Sequence, residues 1–188
     1  MERTPEDFLR LLEPVYPRLA RYSFAITRDK ETAADLTSDT VLVALEQFES
    51  MKTVDNFAGY LFKIASRLHK RRRFRERFKA SYDATHAESR VDSSQQPDKA
   101  AEIAIVMMAL ETLPPKTRET VVLFDVADLS LEEIQAIQGG SLSGVKSRLT
   151  RGREQLKQTL GIPEVPSNKM KTLGPSDSNF SSGESYAI

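Results

Sequence analysis

Between Lys63 and Lys79, nine Lys or Arg side chains stand against one acid, Glu76, a local charge of +8 in a chain whose net charge is zero. Six of the nine are Arg, which grips phosphate bidentately and stacks on bases, and Phe62, Phe74 and Phe78 are interleaved among them. The chemistry open to such a run is polyanion binding. Exposed aromatic rings beside Arg suit unpaired bases, so single-stranded or opened duplex nucleic acid is favoured over a merely solvated basic face. A second set of cations, Lys146, Arg148, Arg151 and Arg153, follows the glycine pair Gly139 and Gly140.

Covalent and metal chemistry find little support. The chain has no cysteine, hence no disulfide, thiolate ligand or thiol nucleophile. His69 and His86 are isolated and lack metal-ligand spacing, which makes both read as bystanders. No nucleophile and base are paired and no phosphate loop is present, so neither an enzyme nor a cofactor is expected. No apolar run reaches the length of a membrane span, and MERTPEDFLR lacks a signal-peptide core, which reads as a cytoplasmic protein without direct membrane insertion.

The elements that must position these cations are helical. Asp55 to Lys79 is one helical period that changes character halfway, with Asp55 placed as its cap. Phe57, Tyr60, Leu61, Ile64, Ala65 and Leu68 form an apolar stripe, and the same stripe continues as Arg71, Arg72 and Arg75. A helix that exchanges apolar residues for guanidinium on one face has left the interior. Upstream, Thr4, Pro5, Glu6 and Asp7 start a helix with the stripe Phe8, Leu11, Leu12, Val15, Tyr16 and Leu19, which Pro14 and Pro17 must kink or interrupt. Asp29 then caps a helix reaching Phe48, with Leu36, Val41, Leu45 and Phe48 as the buried set. Its acidic outer face, with Asp35 and Asp39, reads from composition as solvent surface rather than a docking face.

Residues 80 to 102 lack apolar periodicity and read as a flexible linker, able to span at most about 80 Å when extended. Beyond it, Ile103, Val106, Met107, Leu110 and Leu113 mark a helix stopped by Pro114 and Pro115, and another covers Lys116 to Val126. Ser130 and Glu133 form a capping box opening a short helix that buries Ile134 and Ile137. After the glycine turn, a helix from about Ser143 to Leu160 packs Val145, Leu149, Gly152 and Leu156 inward and leaves Lys146, Arg148, Arg151 and Arg153 outward, the layout of a helix-turn-helix with a basic recognition helix. The expected architecture is all-α: two small helical domains, 1–79 and 103–161, a linker 80–102, and a disordered tail 162–188.

In order and spacing these motifs resemble the bacterial sigma factors of the extracytoplasmic-function (ECF) class, within the sigma-70 family, which contain sigma regions 2 and 4. The resemblance runs from Phe8 to Leu160. It rests on YPRLARYSFAITRDKETAADLTSDTVLVAL and NFAGYLFKIASRL followed by the arginine run, and on ALETLPPKTRETVVLFDVADLSLEEIQAI and VKSRLTRGREQL.

The resemblance implies a non-catalytic factor that binds RNA polymerase core, directs it to promoters and helps open the DNA. Asp35, Leu36, Asp39 and Thr40 would dock on the beta-prime clamp helices, against the solvent preference from composition. Glu49 to Asn56 would form a loop capturing a flipped base. Asn56, Phe57, Tyr60, Lys63, Arg67, Lys70, Arg71, Arg72, Arg73 and Arg75 would read and melt the minus-10 element. Ser143, Lys146, Ser147, Arg148, Arg151 and Arg153 would lie at the minus-35 element. The implied partners are polymerase core, through its clamp helices and beta flap, promoter DNA and an anti-sigma factor, with no small-molecule substrate. Leu45 stands where the family often has Trp, and Arg67 where Asn is frequent. Gly140 and Gly144 replace a branched residue and a Thr, which should loosen the recognition helix by about 0.5 to 1 kcal/mol each. The alternative reading is a stand-alone helix-turn-helix repressor or activator.

Overall fold

The computed structural model describes residues 4–48, 50, 55–80 and 97–162, with backbone alone at 77–80 and 97–100. Eight α-helices and one π-helical turn make up the described part, and they divide into an N-terminal set of four and a C-terminal set that pack against each other.

The first helix, α1 (Pro5–Leu12), begins at the expected capping box: Thr4 Oγ1 accepts from the Asp7 N–H at 3.3 Å, and the Asp7 carboxylate accepts from the Thr4 N–H. It stops before Pro14, and α2 (Tyr16–Thr27) restarts with Pro17 in its first turn, where a missing N–H costs nothing. The interruption rotates the stripe. Phe8, Leu12, Val15 and Leu19 are buried, whereas Leu11 and Tyr16, expected inside, are exposed. Helix α3 (Lys30–Phe48) starts where Asp29 Oδ1 accepts from the Thr32 N–H at 2.7 Å. Its buried face is Ala33, Leu36, Thr37, Thr40, Ala44 and Phe48, while Leu45 is exposed rather than buried and Val41 is half-buried. Small and hydroxylated residues suffice on that face because Thr37 and Thr40 return their hydroxyl protons to the carbonyls of Ala33 and Leu36 at 2.8 and 2.6 Å.

Helix α4 (Phe57–Ala80) is capped by Asn56 and not by Asp55, since Asn56 Oδ1 accepts from the Gly59 N–H at 2.7 Å. Phe8, Phe48 and Phe57 meet edge to face, with ring centroids 5.3 to 6.2 Å apart, and close the end of the module where α1, α3 and α4 converge. Phe62, read from the sequence as an exposed base-stacking ring, is fully buried and lies edge-on to Tyr22 at 5.4 Å. Its position one residue beyond Leu61 widens the apolar arc of α4 toward α2, where Arg18 also lies over the ring. Phe74 is exposed as expected, and the side chain of Phe78 lies outside the described residues.

Helix α5 (Pro97–Glu111) begins inside the stretch read as linker. Ala109, Leu110 and the following Leu113 are buried, but Ile103 and Val106 are exposed. Arg118 donates to the carbonyls of Leu110, Glu111 and Leu113 at 2.7 to 3.2 Å and so satisfies the C-terminal end of α5. Helix α6 (Pro115–Val121) continues into a π-helical turn, Val122–Val126, whose wider winding is closed by the Ala127 N–H to Val122 carbonyl bond at 3.0 Å. The capping box of Ser130 and Glu133 opens α7 (Leu131–Gln138) as the sequence predicts. Gly139 and Gly140 take positive φ angles of 70° and 88°, and Ser141 caps α8 (Leu142–Thr159). Gly152 on α8 is a contact glycine: a Cβ there would lie 2.6 Å from Val121 Cγ2 and 2.9 Å from Thr117 Cγ2, so α6 and α8 approach closely only because it has none.

Candidate nucleic-acid interface

Helix α4 presents its cations on two sides. Lys63, Arg67 and Arg71 are exposed and, with Tyr60, line a groove between α3 and α4 whose far wall is Val43, Glu46 and Gln47. The half-buried Tyr60 donates its hydroxyl to Gln47 Oε1 at 2.9 Å, which fixes the ring against the groove wall. These four side chains form an open cationic track with one aromatic face beside it, suited to a sugar-phosphate backbone with an adjacent base. Arg75 is exposed further along the helix.

The other side of α4 faces the C-terminal helices. Ser66 donates to Glu119 Oε1 at 2.5 Å, Lys70 Nζ lies 3.2 Å from Glu119 Oε2, and Asn56 Nδ2 donates to Glu133 Oε1 at 2.7 Å. Arg18 of α2 adds bonds to the carbonyls of Ala127 and Asp128, at 2.8 Å from Nε and 2.7 Å from Nη2 respectively. Those carbonyls follow the π turn, where Asp128 reverses the chain at φ 53° and leaves them for a side-chain donor. Burial alone would raise the Glu133 carboxyl, but hydrogen bonds from Ser130 and Asn56 outweigh it and hold the group below the usual range.

The predicted minus-10 residues are therefore not equivalent. Tyr60, Lys63, Arg67, Arg71 and Arg75 are brought together on solvent-facing surface, whereas Asn56 and Lys70 are engaged by acids of the C-terminal set. Phe57 is buried in the aromatic cluster and acts by packing rather than by contact with a base. Arg72 pairs with Asp35 at 3.6 Å and with Glu76 at 3.2 Å, and Arg73 is half-buried. Of the proposed flipped-base loop, only Ser50, Asp55 and Asn56 lie within the described residues.

The polymerase-docking set also divides. Asp35 and Asp39 are exposed four residues apart on α3, on the same side of the helix. Leu36 and Thr40 are 4% and 0% exposed and belong to the core beneath that face.

On the helix-turn-helix, Ser143, Lys146, Ser147 and Arg151 are exposed. Arg148, expected outward, is half-buried: its Nε donates to Thr120 Oγ1 at 3.3 Å and its Nη2 to Gln138 Oε1 at 3.1 Å, bracing α8 against α6 and α7. Arg153 pairs with Asp125, with its guanidinium 4.8 Å from the Phe124 ring centroid, and the Asp125 hydrogen bond raises its already high pKa. Among the described residues the exposed, unpaired cations in the first three turns of α8 are thus Lys146 and Arg151, flanked by two serines, and Lys157 is exposed in its last turn.

Sequence reasoning did not single out Arg18, Arg28, Ser66 or Glu119. Glu119 carried the one legible signal, a carboxylate three and four residues before the buried Val122 and Leu123 and hence on an apolar helix face. Arg18 and Arg28 are lone cations whose partners are distant in the chain, and no spacing rule reveals them.

Comparison with known proteins bears on the whole arrangement. Residues 11–78 match the family model Sigma-70 region 2, and residues 103–156 match Sigma-70, region 4. The chain is 34% identical over 149 residues to the ECF RNA polymerase sigma factor SigE of Mycolicibacterium smegmatis, covering 76% of this chain and 57% of that protein, so it spans less than two thirds of that relative's length. It is 28% identical over 162 residues to the ECF RNA polymerase sigma factor EcfG of Rhodopseudomonas palustris, covering 86% of each. Its fold matches that of the sigma factor RpoE from Bartonella quintana, solved in complex with the anti-sigma factor NepR, with a TM-score of 0.72 at 26% identity over 85% of this chain and 99% of that one. No described helix is long and apolar enough to cross a membrane. Both sigma regions occur in family order on an all-helical scaffold, with named ECF relatives along most of the chain, which the stand-alone repressor reading does not explain: the chain belongs to the sigma-70 family of RNA polymerase sigma factors, in the extracytoplasmic-function class.

Proposed function

We propose that this chain is a non-catalytic initiation factor acting in the cytoplasm, in which the division 1–79, linker 80–102 and 103–161 separates core binding and minus-10 melting from minus-35 recognition. The observation that carries the reading is α4 itself, which is one helix buried through Leu61, Phe62 and Ala65 and yet exposes Lys63, Arg67 and Arg71 beside Tyr60. A helix anchored that firmly can hold a row of cations and a ring against a strand whose bases have unstacked. Unstacking costs a few kcal/mol per step, which phosphate and base contacts offset.

Asp35 and Asp39 supply an acidic docking face for basic helices of polymerase core, with Leu36 and Thr40 holding that face rigid from beneath. Lys146, Arg151, Ser143 and Ser147 contact the minus-35 element, with Arg148 and Arg153 fixing the angle of α8. Asn56 and Lys70 are occupied by Glu133 and Glu119 in the docked arrangement, so their use on DNA requires these contacts to exchange. An anti-sigma factor is the regulatory partner, on the strength of the RpoE likeness.

The test is promoter opening by polymerase core and this protein, followed through permanganate reactivity of thymines near the start site. Replacing Arg71, Arg72, Arg73 and Arg75 with Ala should leave copurification with core intact and abolish reactivity on closed duplex, with partial recovery on a premelted bubble. Normal reactivity in the quadruple variant would sink the reading.

A further inference from the structure

The junction of α2, α4 and α6 holds more positive charge than its acids and helix-end carbonyls neutralise. Two adjoining cavities of about 340 and 360 Å³ meet there and share Ile26, His69, Arg73 and Arg118 as lining. Arg28, at the C-terminal end of α2, enters the second cavity, and Lys70, Lys116 and the exposed ring of Phe74 enter the first. Each helix thus contributes at least one cation to the same space.

The acids present do not balance them. Glu111 pairs with Arg28, Glu119 with Lys70 and Glu76 with Arg72, and Asp29 also lines the second cavity, so four acids stand against the six cations Arg28, Lys70, Arg72, Arg73, Lys116 and Arg118. Arg118 spends only Nε and Nη2 on neutral carbonyls at and just beyond the C-terminal end of α5, which leaves Nη1 directed to no carbonyl among the described residues, and the partial negative charge of that helix end meets only part of its own. Among the described residues Arg73 forms no ion pair or hydrogen bond, and Arg28 Nε is buried with no hydrogen-bond partner. Burial and then Arg73 push the Arg28 guanidinium below its ordinary value, and burial, Arg28 and Arg73 do the same to Arg118. Like charges driven together in a partly enclosed space, with a buried donor left over, are an arrangement that an entering anion relieves.

We propose that the junction of α2, α4 and α6 is a binding site for a diphosphate group, carried as free pyrophosphate or by a nucleotide, with Arg28, Arg73 and Arg118 holding the phosphate oxygens. Guanidinium forks match phosphate geometry, and three of them from three helices favour a ligand with two linked phosphates over a single carboxylate. Phe74 stands at the mouth of the first cavity and offers a face to a base, which distinguishes a nucleotide from the free anion. Because the ligand bridges α2 and α4 to α6, it strengthens the docking of the two modules. The proposal concerns the isolated chain and does not depend on the promoter assignments.

The experiment is calorimetric titration of the full chain with pyrophosphate and, separately, with GDP, free of divalent metal and at matched ionic strength in chloride. Saturable binding at one site per chain is expected. Arg28→Gln, which keeps a hydrogen-bonding side chain, should weaken both probes at least about tenfold, while Arg10→Ala, an exposed cation far from the junction, should change neither. Arg118→Gln should act like Arg28→Gln where circular dichroism shows the fold retained. Phe74→Ala weakening GDP alone identifies the nucleotide as the ligand, and a GDP affinity unchanged from wild type in that variant identifies the free diphosphate. Absence of saturable binding, or equal weakening by Arg28→Gln and Arg10→Ala, overturns the site.

Discussion

Asp35 on α3 and Arg72 on α4 lie 3.6 Å apart, so a residue assigned to polymerase docking and one assigned to DNA share an ion pair. Both side chains are partly exposed, and a pair of this kind contributes at most about 1 kcal/mol to stability. Its consequence is for interpretation: reversing Asp35 also leaves Arg72 to Glu76 alone, whereas among the described residues no ion pair ties Asp39. Asp39→Lys should therefore weaken binding to polymerase core at least about tenfold while leaving the melting temperature unchanged. Core affinity equal to wild type in a pull-down titration would remove α3 from the docking surface.

The two arginines of the recognition helix should separate in a similar way. Arg151→Ala should weaken binding of a minus-35 duplex by about 1–3 kcal/mol if the contact is bidentate to a base, with no loss of stability. Arg148→Ala should lower both, because Thr120 and Gln138 lose their shared partner. Urea unfolding beside a duplex titration reads the two effects, and an equal stability loss in both variants would contradict the bracing role of Arg148.

Gly152→Ala should destabilise the C-terminal module by about 1–3 kcal/mol, against the usual gain from replacing a helical glycine. The added methyl meets Val121 and Thr117 at distances no Cβ tolerates. A second change, Val121→Ala, should recover part of the loss, as followed by thermal unfolding.

His69 makes stability depend on pH. Burial, then Arg73, holds its imidazole at about 4, below the ordinary 6.5, although Glu119 pulls the other way and Lys70 and Arg118 add to the depression. Between these two values the unfolded chain takes up a proton that the folded chain refuses. Stability from this group is therefore complete above pH 6.5 and is lost as pH falls toward 4, with a slope of up to about 1.4 kcal/mol per pH unit. His69→Gln should flatten that part of the profile relative to wild type, and parallel urea midpoints at about pH 7 and about pH 5 measure the difference.

Local order was legible in the residues themselves. Thr4 with Asp7 and Ser130 with Glu133 are capping pairs at fixed spacing, Asp29 caps α3, and the alternation of Leu61, Ala65 and Arg71 marks both the anchored and the exposed parts of α4; each depends on neighbours within about one or two turns, which the chain fixes before it folds. The motifs in order were likewise sufficient to point to sigma regions 2 and 4. Long-range choices were not available in that form. Whether Phe62 faces solvent or Tyr22, whether Leu45 is inside or out, and whether Arg148 reaches DNA or Thr120 depends on which second surface arrives, and no period in one helix encodes its partner. Asn56 with Glu133, Ser66 with Glu119 and Arg18 with the end of the π turn join residues 53 to 110 positions apart. Such pairs form only when apolar burial has already brought the two modules together, because each bond alone contributes about 1 kcal/mol and cannot offset the entropy of closing so long a loop. For that reason the cations and acids could be read from the sequence, but which of them meet was decided by the tertiary structure.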